Sequence, residues 1–220
     1  MRWSRPDGRL HNGEMSTYVL IHGAGGSDSW YWHLVAPQLR ARGHDVVAPD
    51  LPSDDPSAGL QEFADVVVDA IGDRKDLVVV AQSFAGFTSP LVCDRVPVDL
   101  LVLVAAMIPR PGESAAQWWV NTGWQQPAGG ADGQFDLVGT FFHDVPPPVY
   151  AAAMARGTRE EADTAFGQPW PSPNPAHRDL RRAVLPTLPF SVFYRPTKRA
   201  IEVVRVLHHA QDIPPLLDEM

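Results

Sequence analysis

Along the chain, short uninterrupted apolar runs alternate with longer stretches in which apolar residues recur every three or four positions. The short runs predict strands at Tyr18 to Ile21, Asp45 to Ala48, Leu77 to Val80 and Leu100 to Ala106. The stretches between them predict helices. Trp30, His33, Leu34 and Leu39 are spaced for a helix over Ser29 to Arg42, and Phe63, Val67, Ala70 and Ile71 for one over Leu60 to Ile71, with Gly43 and Gly72 as stop signals. A third follows from Phe84 to Arg95. Fully apolar strands alternating with amphipathic helices define the α/β class, a mostly parallel sheet with helices on both faces.

The texture changes from Arg110 to Arg182, where Trp118, Trp119, Trp124 and Trp170 stand among many Gly and Pro residues. An insertion of this kind, about residues 110–182, reads as a cap or lid, either an aromatic mini-core that packs down or a wall facing substrate. Two late strands are predicted at Leu188 to Tyr194 and Ile201 to Leu207, with a closing helix at Ile213 to Met220. Residues 1–14 are polar and expected to form a disordered extension, with Met15 as a possible functional start and residues 15–220 as one domain.

The sharpest chemical signal is LVVVAQSFAG, in which a buried strand runs into Ser83 and then into a helix. A serine hydroxyl becomes a nucleophile only when it is exposed beside a base, and a tight strand-to-helix corner lifts it above the sheet. The corner crowds the positions two before and two after the serine. Here they are Ala81 and Ala85, with Gly86 next, where the commoner G-x-S-x-G form has glycines. The second signal is VLIHGAGGSDSW after the first strand. Attack on a carbonyl builds negative charge on its oxygen, and a glycine-rich turn lets backbone N–H groups approach that charge. By this logic the oxyanion donors are the amides of Ala24 and Phe84, while His22 reads as a structural part of the turn. A phosphate loop is a poor rival, because neither GxGxxG nor GxxxxGK[ST] is present.

The formal net charge of -8 opposes a nucleic-acid partner, since phosphate binding needs a clustered basic face. No apolar run approaches the roughly 20 residues of a membrane span, and no hydrophobic leader stands near the start, so the expected location is cytoplasmic with no membrane partner. The single cysteine, Cys93, cannot form an internal disulfide and is expected to act as a small buried hydrophobe.

Together HGAGG, APDLP at Ala48 to Pro52, AQSFAG and LLVLVAAMIP resemble the α/β-hydrolase superfamily, and in particular its small methylesterases related to hydroxynitrile lyases, over about residues 16–170. The resemblance implies the α/β-hydrolase fold, a Ser-acid-His triad in that chain order, a lid, no cofactor and no metal. Lyases of that group resemble one another in a Thr after the motif histidine; Gly23 at that place favours hydrolysis. The implied activity is that of a carboxylesterase-like serine hydrolase acting on a small molecule, an apolar or aromatic ester if the tryptophan-rich lid lines the pocket. Oligomeric state is not legible.

The last part of the chain departs from that pattern. Arg195, Pro196, Thr197 and Lys198 stand where the resemblance implies the triad acid, and a cation there repels an imidazolium rather than orienting it. His208 and His209 are adjacent candidates for the base, His208 lying seven residues before Pro215. Asp179, Glu202 and Asp212 are the possible substitute acids. Residues 1–176 hold 11 Lys and Arg against 21 Asp and Glu, whereas residues 177–209 hold 7 against 2. The sign change, and a gap between the two late strands too short for a helix, mark this tail as divergent, rearranged or read in an altered frame. The alternative to an esterase is therefore a non-catalytic small-molecule binding protein that keeps the pocket and has lost the acid.

Overall fold

The first two strands begin the sheet side by side, because their β-branched and aliphatic residues are buried on both faces and each needs a paired neighbour to satisfy its backbone. The computed structural model describes residues 15–24, 29–122, 142–156, 163–171, 181–184, 190–196 and 201–208. Seven strands form one sheet: β1 (Thr17–Ile21), β2 (Asp45–Val47), β3 (Leu77–Gln82), β4 (Leu100–Val104), β5 (Arg181–Val184), β6 (Phe190–Pro196) and β7 (Ile201–His208). Their spatial order is β2-β1-β3-β4-β7-β6-β5. Strands β1 to β4 are parallel, and β7 adds to β4 in the same direction through Val104 and Val206. Strands β6 and β5 then run antiparallel to their neighbours.

Helices cover both faces of the parallel part. On one face, Val19 and Ile21 of β1 and Leu77, Val79 and Ala81 of β3 pack against α2 (Leu60–Ile71) and α3 (Ala85–Cys93). Leu60, Phe63, Ala64, Val67 and Ile71 form the buried stripe of α2 at helical spacing. On the other face, Leu20 and Val46 pack with Trp32 and Ala36, the latter from α1 (Ala36–Arg40). The alternation of Leu20 with Val19 and Ile21 is the two-residue period of a strand buried on both sides.

The helix over Ser29 to Arg42 needs correction. The chain forms a 3-10 turn at Ser29–Trp32 and only then α1, which starts with Pro37 in its first turn. Proline lacks the N–H an interior helical residue would donate, so the segment breaks before it. Gly43 and Gly72 do stop the helices, both with positive φ (86° and 56°). Strand β5 was not anticipated from the sequence. The closing helix at Ile213 to Met220 and the 1–14 extension lie outside the described residues.

Three short helices, α4 (Ala115–Asn121), α5 (Pro147–Arg156) and α6 (Asp163–Gly167), fall in the inserted region. The segment around α6 is fastened to the core at several points. Gln168 Oε1 accepts the Leu60 N–H at the start of α2 (2.8 Å), and Thr164 Oγ1 donates to the Pro56 carbonyl (2.6 Å). Trp170 is buried and its indole N–H donates to the Phe87 carbonyl of α3 (3.2 Å). For Trp170, the packing role is the one the structure shows. Trp118 likewise donates to the Ile108 carbonyl (3.1 Å); Trp124 lies outside the described residues. No helix among the described residues is long and apolar enough to cross a membrane.

Candidate active site

The corner between β3 and α3 is drawn tight by its backbone. Ser83 has φ +51°, a left-handed conformation that costs a non-glycine residue on the order of 1–3 kcal/mol and persists only where neighbours impose it. The neighbours are identifiable. Ser83 N–H donates to the Val104 carbonyl (3.2 Å), and the Ser83 carbonyl accepts from Gly86 N–H (3.0 Å) and Met107 N–H (2.9 Å). The exit of β4 thus holds the serine from behind, and its own Ala105 also has positive φ (+44°). Ser83 itself is half-buried, between a fully buried Ala81 and a buried Phe84.

The elbow's small residues divide the work differently from the G-x-S-x-G pattern. Ala81 and Ala85 fit with their methyl groups buried. The intolerant position is Gly86, where a Cβ would lie 1.9 Å from the Met107 carbonyl oxygen. Alanine at the two flanking positions is therefore compatible with the corner, while the next residue must be glycine.

The turn after β1 lies directly beside this corner, because β1 and β3 are neighbours in the sheet. A Cβ on Gly23 would stand 2.8 Å from Ser83 Cβ and 2.5 Å from Gln82 Oε1, so only glycine lets the two segments approach. His22 is fully buried, and its ring is spoken for: Leu51 N–H donates to Nε2 (3.1 Å), which requires the neutral ring with its proton on Nδ1, and Nδ1 lies 2.9 Å from the Gly23 carbonyl. His22 thus ties the turn to the APDLP segment, whose Asp50 carboxylate also accepts from Ser29 N–H. Because C=O and N–H of a trans peptide point in opposite directions, a Gly23 carbonyl held by His22 turns the Ala24 N–H away from it. Neither the Ala24 nor the Phe84 N–H has an acceptor among the described residues. Phe84 follows Ser83 directly, and Ala24 follows the glycine that abuts Ser83.

The late strands place the remaining candidates by register. Gln82 pairs with Val104 and Val104 with Val206, so Ser83 and His208 both stand just past one level of the sheet, at its carboxyl edge. Two strand spacings separate them, about 10 Å of backbone. β6 runs the other way. Its last residues, Arg195 and Pro196, pair with Glu202 and Ile201 at the start of β7, so the end of β6 lies at the opposite edge from Ser83. Glu202 is six residues from His208 along β7, about 20 Å, and does not meet the site. His209, Asp179, Asp212, Thr197 and Lys198 lie outside the described residues.

One buried carboxylate went unremarked in the sequence. Glu113 sits in the loop after β4 and accepts from Arg110 N–H (2.9 Å) and Asn121 Nδ2 (2.6 Å), bracing the base of α4. Its signal was the S-x-x-Q box beside it, in which Ser114 and Gln117 cap α4.

A parallel sheet with this strand-serine-helix corner and a glycine turn at its carboxyl edge defines the architecture of an α/β hydrolase, and a model of the Alpha/beta hydrolase family matches residues 18–217. The chain belongs to that family. Among curated proteins, methylesterase 9 of Arabidopsis thaliana is 31% identical over 107 residues, 43% of this chain and 41% of that protein. Polyneuridine aldehyde esterase of Rauvolfia serpentina is 25% identical over 196 residues, 83% of this chain and 69% of the relative. Most such matches are short: in methylesterase 9, as in others like it, the chain spans about two fifths of the relative's length. Among solved structures, a pyrethroid hydrolase from Sphingobium faniae JZ-2 shares the fold with a TM-score of 0.54 at 21% identity, covering 74% of each chain.

Proposed function

We propose that this chain is a carboxylesterase-like serine hydrolase acting through an acyl-enzyme. Ser83 Oγ attacks the ester carbonyl, His208 takes the hydroxyl proton, and the N–H groups of Ala24 and Phe84 receive the oxyanion. His208 then returns the proton to the departing alkoxide, which leaves as an alcohol. Water, deprotonated by the same histidine, attacks the acyl carbon and releases the carboxylic acid and free Ser83. The observation that carries this reading is the left-handed Ser83, with the Phe84 N–H next to it and the Ala24 N–H one residue past the glycine that abuts it, neither with an acceptor among the described residues. A preorganised pair of donors at a nucleophile is costly to build and useful for acyl transfer. The reading needs no acid from the end of β6.

The substrate we propose is a small ester with an apolar or aromatic part. Support comes from the esterase names of the relatives and from half-buried Trp118 and Trp119 in the cap; Trp170 is committed to packing. The cytoplasm is the compartment we propose, consistent with one half-buried cysteine and no disulfide requirement.

A second reading, a small-molecule binding protein without turnover, is favoured by one observation: β6, at whose end the acid is expected, ends with Arg195 and Pro196 at the far edge of the sheet. A fluorophosphonate probe and short p-nitrophenyl esters separate the two. Labelling and turnover that vanish in Ser83→Ala support the esterase. A cooperatively folding wild-type protein that neither labels nor turns over supports the binding protein.

A further inference from the structure

We propose that Gln82 is a positioning residue that locks the oxyanion turn, an inference that rests on the esterase reading for its catalytic part and on geometry alone for the rest. Gln82 is the last residue of β3 and half-exposed. Its Oε1 accepts the Gly23 N–H at 3.1 Å across 59 residues of sequence. This is the one hydrogen bond its side chain makes among the described residues, so the turn and the carboxamide fix each other.

The consequence falls on the next amide. Gly23 has no side chain to restrict its φ and ψ, and a glycine beside a reacting centre wanders unless both of its peptide planes are held. The plane before it is held by Gln82 through the N–H, and the plane after it by His22 through the carbonyl. With both fixed, the Ala24 N–H has one direction. The bond also withdraws the Gly23 N–H from the site, which leaves Ala24 as this turn's donor among the described residues. The two residues are coupled in size as well: Oε1 lies 2.5 Å from where a Cβ on residue 23 would be, so a side chain at 23 evicts the carboxamide that orders the turn. The Gly23–Gln82 pair therefore acts as one unit, and Gln82 acts through Ala24 without touching substrate.

A donor that serves only the tetrahedral state affects kcat more than KM. In Gln82→Met, which keeps length and loses the acceptor, kcat for a p-nitrophenyl ester is expected to fall about ten- to hundredfold with KM within about threefold. A trifluoromethyl ketone, whose adduct needs the oxyanion donors, is expected to weaken by the same factor. An unchanged kcat in folded Gln82→Met overturns the proposal. A second measurement works even if the wild-type protein has no esterase activity: exchange of the Gly23 amide proton, followed by NMR. It is expected to speed up at least about tenfold in Gln82→Met and stay slow in Gln82→Glu, which keeps an acceptor at that reach. Equal exchange in wild type and Gln82→Met, or fast exchange in both variants, overturns it. Failure of probe labelling in wild type with the exchange pattern intact rejects the esterase reading and leaves the clamp standing.

Discussion

Strands β1 to β4 are joined by crossovers that carry helices, whereas β5, β6 and β7 follow one another as antiparallel neighbours. A crossover returns the chain to the same end of the sheet, so each parallel strand delivers its next loop to one edge. The turn at Gly23, the APDLP segment, Ser83 and the Glu113 loop all arrive together by that rule. Antiparallel succession sends alternate strand ends to opposite edges. β7 still delivers His208 to the edge of Ser83, because it lies parallel to β4, but β6 carries Arg195 and Pro196 away. Strand direction, as much as residue type, decides what the site contains.

The strongest test of that contrast compares residues on one strand. His208→Ala is expected to lower kcat by about a thousandfold or more, the loss of a general base. Glu202→Gln at the other end of β7, and Arg195→Ala opposite it, are expected to stay within about twofold. Ester turnover of the three variants decides it. A large loss in Glu202→Gln or Arg195→Ala would mean that the β6–β7 pairing is wrong and that the end of β6 belongs to the site.

The next largest effect lies in the parallel half and is one of stability. Gly86→Ala drives a methyl group against the Met107 backbone, which cannot yield without moving β4. We expect a loss of about 3 kcal/mol or more, read from the urea midpoint. Ala85→Gly, at the position where the commoner motif has glycine, is expected to cost under about 1 kcal/mol. If the two behave alike, the division of labour in the elbow is misassigned. Trp170→Phe, which removes the indole bond to Phe87 and part of a buried ring, is expected to cost about 1–2 kcal/mol on the same scale.

The contrast between halves also explains what could be read from the chain. Periodicity exposed β1 to β4, α2 and α3 because each is long enough to show its period and is bounded by Gly or a charged turn. It missed the break before α1, where apolar residues keep helical spacing through a 3-10 turn at Ser29–Trp32. It missed β5, since RRAV carries no alternation to distinguish it from a loop. Ser83, Ala24 and Phe84 were legible as motif positions, as chain order alone places the corner. Gln82 and Glu113 were not, because their partners lie 59 residues away or in a loop, and a lone polar residue carries no sign of its partner. The direction of β6 was likewise hidden: strand length and composition do not encode which neighbour a strand takes.

The smallest effect is at the outer edge of the parallel half, where Asp45 at the start of β2 meets Arg74 beyond the end of α2. The guanidinium bond, at 2.7 Å, lowers the Asp45 carboxyl below its usual range, helped by the Val46 N–H. A carboxylate with a lowered folded pKa adds stability that is fully present above the unfolded value of about 3.9 and is lost as pH falls through the folded one. Both side chains are nearly half exposed (47% and 44%), so solvent and salt screen the pair and its worth stays below about 1 kcal/mol. Asp45→Asn is therefore expected to lower the urea midpoint slightly from pH 5 to 8, with the difference closing below about pH 3 and shrinking in high salt. Arg74→Ala should cost more, because Arg74 also donates to the Ala70 and Ile71 carbonyls at the end of α2. Equal losses in the two variants would show that the bonds to the helix end add nothing to the ion pair, and an Asp45→Asn difference that persists at low pH would show that charge is not what holds this edge.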